Sequence, residues 1–194
     1  YTKYFSFMFN KQLQCNKCHK IKTKIDPSLT YHITIGDFTQ TGLILQTMID
    51  SDTTLKDPDQ TEKSNCERCD KDMPHHEIVT LEYPPCNPLL PPYNQYLLIH
   101  LKRSNFENER KIKYTRPIMV NQKLDINNQH FDLCGIGVHV GTPDGGHWYA
   151  YKKINEQWVC CNDTVTTIID NIDEVADLHL GTIYCYQKKS DSKK

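Results

Sequence analysis

Three groups of side chains in this sequence have types and spacings that can do chemistry. His147 stands behind Gly145 and Gly146 in GTPDGGHWYAYKK, and Asn162 and Asp163 follow one hairpin later in QWVCCND. Two C-x-x-C pairs, Cys15/Cys18 in CNKC and Cys66/Cys69 in CERC, lie far apart in the first half. An imidazole that takes a thiol proton, held in one tautomer by a carboxamide or carboxylate, is the base of a cysteine protease. Paired thiolates on tight turns are the ligands of a tetrahedral metal.

The cysteine pairs come first because their spacing is the more specific signal. Each C-x-x-C sets two sulfurs on one knuckle, and two knuckles complete an all-thiolate site for one Zn2+. Four thiolates leave no open coordination position, so the metal is structural. It would close the long loop from Cys18 to Cys66 and order a polar segment with little core of its own. Such sites contribute on the order of 10–16 kcal/mol of apparent binding. A thioredoxin-type redox pair would need one C-x-x-C behind a strand of a βαβ unit, and both pairs here sit in polar, hairpin-like surroundings. His19, His75 and His76 lie near the knuckles as substitute ligands in principle, but the four cysteines already complete the set.

For the histidine, register decides the partner. If INEQ turns on Asn155 and Glu156, Ile154 pairs with Gln157, Ala150 with Cys161 and Tyr149 with Asn162, which sets His147 diagonal to Asn162 on the same face. A three-residue turn would bring Tyr149 opposite Asp163 and make Asp163 the partner instead. The stretch Gly141 to His147 supplies a glycine-rich loop before the base, where an extended peptide can lie close to backbone; Gly141, Gly145 and Gly146 are the residues that would line it. The plainer alternative is a histidine that only packs in a sheet, and that is the reading for His100 and His139.

These residues need a scaffold. Strands are expected from Tyr96 (YLLIHLKR), Phe131 (FDLCGIGVHV), His147, Gln157 (QWVCC) and Leu180 (LGTIYCYQ), with Cys134, Ile136, Val138 and Val140 alternating onto one face. Short helices are expected over Thr41 to Ile49 and Asn171 to Leu178, the latter capped by Asp170 or Asn171. Asp50 to Asp72 reads as a polar linker apart from its cysteine pair, and Tyr83 to Tyr93, YPPCNPLLPPY, as an extended connector. The class is α+β, with a mainly antiparallel sheet in the second half. Three regions follow: 1–92 around the cysteines, 93–187 carrying the strands, and 188–194 as a disordered tail.

Composition narrows the partners. The 194 residues carry 23 Lys and Arg against 24 Asp and Glu, a net charge of -1, so no overall field recruits nucleic acid or anionic lipid. No run approaches the roughly 20 apolar residues of a membrane span. Nine cysteines is an odd number, four of them in metal-type pairs, which favours a reducing cytoplasmic or nuclear address over a secreted disulfide scaffold. The start at Tyr1, without a signal-peptide pattern, reads as a cut end with sequence missing upstream.

Taken in order, these stretches resemble the ubiquitin-specific proteases, the papain-like ubiquitin carboxyl-terminal hydrolases. FSFMFNKQLQCNKC is similar to the entry into the family's fingers, CERC to its second zinc knuckle, and YLLIHLKRSNF to its His-Leu-Lys-Arg-Phe strand. DLCGIGVHVGTPDGGHWYAYKK resembles the His box, QWVCCNDTVTTI the Asp/Asn-Asp box and GTIYCYQK the closing strand. Three positions depart from the pattern: Trp148 stands where Tyr is usual, Ser104-Asn105 precede Phe106 where Arg abuts Phe, and Cys160-Cys161 replace an aromatic.

The resemblance implies a hand-like fold of palm sheet and zinc-ribbon fingers with the thumb largely missing. It implies His147 as general base, Asn162 as its orienting residue and Asp163 as acidic neighbour. The reaction would be thiol attack on the isopeptide or peptide carbonyl at the C-terminal glycine of ubiquitin, through an acyl-enzyme. Partners would be ubiquitin or its conjugates, a larger assembly or the missing N-terminal half. The family's nucleophile lies in an Asn-x-Cys box upstream of the first knuckle, and nothing before Cys15 matches it. Cys86, Cys134, Cys160, Cys161 and Cys185 read as small buried hydrophobes instead. Two functions follow: a deubiquitinase whose thiol lies upstream, and a catalytically inactive module that binds ubiquitin or scaffolds a complex.

Overall fold

The computed structural model describes residues 5, 7–35, 42–53, 56, 57, 59, 61–82, 95–107 and 109–189. These form an α+β fold dominated by antiparallel sheet, in two compact units. The first is Tyr1–Leu29 with Ile49–Asn94, the second Thr30–Met48 with Gln95–Lys194. Residues 30–48, part of the region expected over 1–92, cluster with the later strands.

In the first unit, β1 (Phe7–Cys15) runs between β2 (Ile21–Ser28) and β6 (His75–Glu82), antiparallel to both. Strand β2 is exposed along most of its length, and β1 is buried only at its two ends, Phe7 and Cys15. A separate hairpin pairs β4 (Ser64–Cys66) with β5 (Lys71–Met73), inside the polar stretch that carries the second cysteine pair. A three-stranded sheet this poor in apolar cover needs another source of order.

The second unit is built on β3 (Tyr31–Thr34), β7 (Tyr96–Lys102), β10 (Lys123–Ile126), β11 (Gln129–Thr142), β12 (Gly145–Ile154), β13 (Gln157–Asn162), β14 (Val165–Ile169) and β15 (Ile183–Lys188). Strand order is β14-β13-β12-β11-β15-β7-β3, with β10 paired to β11. Every pairing is antiparallel except β3 with β7, which sets Tyr31 beside Ile99. A small hairpin, β8 (Ser104–Glu107) with β9 (Arg110–Lys113), stands apart from this sheet. Alternation places Leu97, Ile99 and Leu101 in the core with Ile33, Tyr184, Tyr186, Phe131 and Leu133.

Three expectations need correction. On β11 the register shifts between Leu133 and Gly135, a bulge that leaves Leu133 and Ile136 buried on the core side. Cys134 therefore turns away from Ile136 and Val138 and meets Cys185 at 3.6 Å. The first helix, α1, spans Leu45–Thr53 rather than Thr41 to Ile49; its start is fixed where the Leu45 N–H bonds the Met119 carbonyl. The second expected helix is two 3-10 turns, Ile172–Glu174 and Ala176–His179, with Asn171 capping the first by accepting from the Asp173 N–H. Residues 83–94 and 190–194, which hold the expected connector and most of the expected tail, lie outside the described residues.

Candidate functional site

The four cysteines converge. Cys15 ends β1 and Cys66 ends β4, so each knuckle is the turn of a hairpin, and the residue after each second cysteine is left-handed: His19 at φ 59° and Asp70 at φ 51°. The four sulfurs lie within 4.8 Å of one another, with Cys15 to Cys69 at 3.9 Å and Cys18 to Cys66 at 3.5 Å. Tetrahedral zinc with bonds of about 2.3 Å requires sulfurs roughly 3.8 Å apart, so the donor set fits. The Cys18 backbone N–H leads the causes that hold the Cys15 thiol at about 6, while burial pushes Cys69 up to about 12. Lys20 bridges the knuckles to Glu67 at 2.6 Å. His19, His75 and His76 are not part of the cluster; His75 is buried against Ser64, and His76 faces Asp57.

The β12–β13 hairpin turns on two residues. Asn155 and Glu156 both have positive φ, 47° and 66°, the signature of a type I′ turn that matches the twist of the strands. Ile154 pairs with Gln157 and Ala150 with Cys161, the register expected from a two-residue turn. His147 Nε2 lies 2.6 Å from Asn162 Oδ1 and 3.9 Å from Asp163 Oδ2. An amide oxygen can only accept, so Nε2 carries a proton, and in the neutral ring Nδ1 then keeps the lone pair. His147 remains about half exposed, its side chain at 47%. Its polar partners among the described residues are Asn162 and Asp163, with no cysteine among them.

The glycine loop is a second tight hairpin, in which Thr142 pairs with Gly145 and Gly141 with Gly146 around Pro143 and Asp144. Gly141 sits at φ +124°, where a side chain would meet the Gly145 carbonyl at 2.6 Å. A Cβ on Gly146 would lie 2.0 Å from the Val140 carbonyl oxygen, whereas one on Gly145 would meet nothing within 4 Å. Lys113 donates to the carbonyls of His139 and Gly141, each at 2.9 Å, and Lys111 pairs with Asp144. Beside the loop lies an open cavity of about 560 Å³, lined by His100, Lys102, Lys113, His139 and Trp148. Trp148 stacks on His139 with centroids 4.8 Å apart.

Other contributors escape a reading of motifs. Arg103 is buried and donates to four carbonyls, those of Gly181, His179, Arg116 and Tyr114, at 2.8 to 3.3 Å. Tyr149 and Tyr151 follow His147 at period two and both donate to Asp177, at 2.7 and 2.9 Å. Their period is visible in the sequence, but Asp177 is too distant and unremarkable in type to be picked out.

A family model described as Ubiquitin carboxyl-terminal hydrolase matches residues 1–186. Among curated relatives, Ubl carboxyl-terminal hydrolase 18 of Mus musculus is 24% identical over 82% of this chain and 46% of its own length. Ubiquitin carboxyl-terminal hydrolase nonstop of Drosophila melanogaster is 26% identical over 95% of this chain and 38% of its own. The chain thus spans under half the length of these relatives. Among solved structures, the yeast SAGA DUB module with a mutant Sgf73 superposes with TM-score 0.77 at 22% identity, covering 97% of this chain and 42% of that one. The Ubp8/Sgf11/Sus1/Sgf73 module bound to monoubiquitin gives TM-score 0.75 at 21% identity, covering 97% and 41%. These structures share the fold. No helix among the described residues is long and apolar enough to cross a membrane.

Proposed function

The chain belongs to the ubiquitin carboxyl-terminal hydrolase family, and from that premise we propose that it is the base-bearing part of a deubiquitinase whose nucleophilic cysteine lies in a segment upstream of Tyr1. The observation that carries this reading is the bond of 2.6 Å between His147 Nε2 and Asn162 Oδ1, which leaves Nδ1 free on an exposed edge to meet a thiol. His147 takes the thiol proton at Nδ1 as sulfur attacks the carbonyl of ubiquitin's last glycine, then returns it to the departing amine. Water next attacks the acyl-enzyme with His147 again as base, which frees the ubiquitin carboxylate and restores the thiol. Asn162 holds the ring throughout, with Asp163 as the acidic neighbour 3.9 Å away.

Gly141, Gly145 and Gly146 line the approach for the extended tail, beside the open cavity. The sheet of β1, β2 and β6 with its four-cysteine centre acts as fingers for the ubiquitin globule, and the larger sheet as the palm. Cys15, Cys18, Cys66 and Cys69 hold one structural Zn2+, which supplies order to that sheet and no step of the reaction. Partners are ubiquitin or its conjugates and a larger assembly, in keeping with the modules of similar fold. Free thiols of this number suit the cytoplasm or nucleus.

The test is intact-protein mass spectrometry of the natural full-length protein after exposure to ubiquitin carrying a C-terminal electrophile. A ubiquitin-sized adduct on a cysteine upstream of Tyr1 is expected. Ubiquitin binding with no adduct would replace this reading with that of an inactive, ubiquitin-holding module.

A further inference from the structure

Outside the set of His147, Asn162 and Asp163, one carboxylate gathers two phenols beneath the base. His147, Tyr149 and Tyr151 alternate along one face of β12, opposite Val140, Val138 and Ile136 of β11. The Tyr149 ring stacks near the imidazole, with centroids 6.2 Å apart and planes 23° apart, and stands edge-on to Tyr151 at 6.0 Å. Both hydroxyls donate to the same oxygen, Oδ2 of Asp177. Burial first, and the bond to Asp177 second, push both phenols above their ordinary range, so both remain neutral donors.

The turn that carries the carboxylate is held firmly. Asp177 lies in the 3-10 turn Ala176–His179, whose Leu178 is buried and accepts from the Tyr184 hydroxyl at 3.1 Å. The His179 carbonyl accepts from Arg103 and from the Ile118 N–H at 2.9 Å, and its Nδ1 accepts from the Val120 N–H at 3.1 Å. The Asp177 carbonyl itself accepts from the Leu180 N–H. By contrast, the partners of the imidazole, Asn162 and Asp163, are both exposed and stand at a two-residue turn into β14.

We propose that Asp177 is a positioning residue: by anchoring the Tyr149 hydroxyl it fixes the ring on which His147 stacks, and so keeps Nε2 aimed at Asn162 and Nδ1 aimed outward. The inference rests on the reading of His147 as the base. A phenol that lost its anchor could swing about its two side-chain torsions, and the imidazole above it would lose one wall of its site. Arg103 acts one step further back, through the His179 carbonyl of the turn that carries Asp177.

The test is long-range 1H–15N NMR of the histidine-labelled chain, which reads the tautomer of His147 without needing turnover. Wild type is expected to show one Nε2–H tautomer, and Asn162→Ala to lose it. Tyr149→Phe keeps the ring and removes only the hydroxyl, and Asp177→Ala removes the acceptor. Both are expected to move the two His147 nitrogen shifts toward each other as the tautomers mix. Spectra of Tyr149→Phe that superimpose on wild type would overturn the proposal, and this variant decides the matter if Asp177→Ala does not fold. In the full-length protein, Tyr149→Phe is expected to lower kcat roughly tenfold with KM unchanged; an unchanged kcat counts against it. Failure of the electrophile test would remove the role of His147 as base but leave the NMR result standing, so the two failures are distinguishable.

Discussion

At the scale of single residues, hydrogen-bond direction and van der Waals space make the sharpest predictions. In the full-length protein, His147→Ala is expected to lower kcat by at least about a hundredfold, the usual contribution of a positioned general base, with ubiquitin affinity unchanged by titration calorimetry. The glycines of the loop are unequal. A methyl at Gly146 collides with the Val140 carbonyl at 2.0 Å and at Gly145 meets open space, so Gly146→Ala should cost about 1–3 kcal/mol in urea unfolding and Gly145→Ala far less. Equal costs for the two would mean that conformational freedom, rather than contact, sets the preference for glycine here.

At the scale of elements, legibility follows how local the determining interactions are. The β12–β13 hairpin could be read as two strands but with two registers open, and the two-residue turn on Asn155 and Glu156 selects the one that brings His147 to Asn162. The cysteine pairs could be read because ligand spacing is written directly in the chain. The bulge at Cys134 could not, since strict alternation carries no mark of one extra residue. Nor could the parallel pairing of β3 with β7, which joins Tyr31 to Ile99 across a long separation and draws residues 30–48 into the second unit. Asp177 was hidden for the same reason. The ordering role proposed for the metal in the first unit is tested at this scale. Purified chain should carry one zinc by elemental analysis, and Cys66→Ser should lose it. Hydrogen exchange should then show protection vanishing across β1, β2 and β6 while β11 and β15 keep theirs; retained protection in β1 would mean the sheet stands without the ion.

At the scale of the whole molecule, fold and family are established, and the proposed chemistry calls for a thiol that is not among the polar partners of His147 within the described residues. The ends of the larger sheet carry a consequence of a different kind. β14 closes the strand order, paired only to β13, and its five residues Val-Thr-Thr-Ile-Ile are β-branched and uncharged, with Val165 61% and Ile168 59% exposed. An uncharged edge of this composition is a template for strand addition, and solutions of the chain should aggregate as concentration rises. A lysine on that edge, Ile168→Lys, should suppress light scattering while leaving the thermal midpoint within a few degrees, since the position contributes little to the core. Unchanged scattering would direct attention to some other surface, and success would give a handle for keeping the chain in solution at the concentrations that NMR requires.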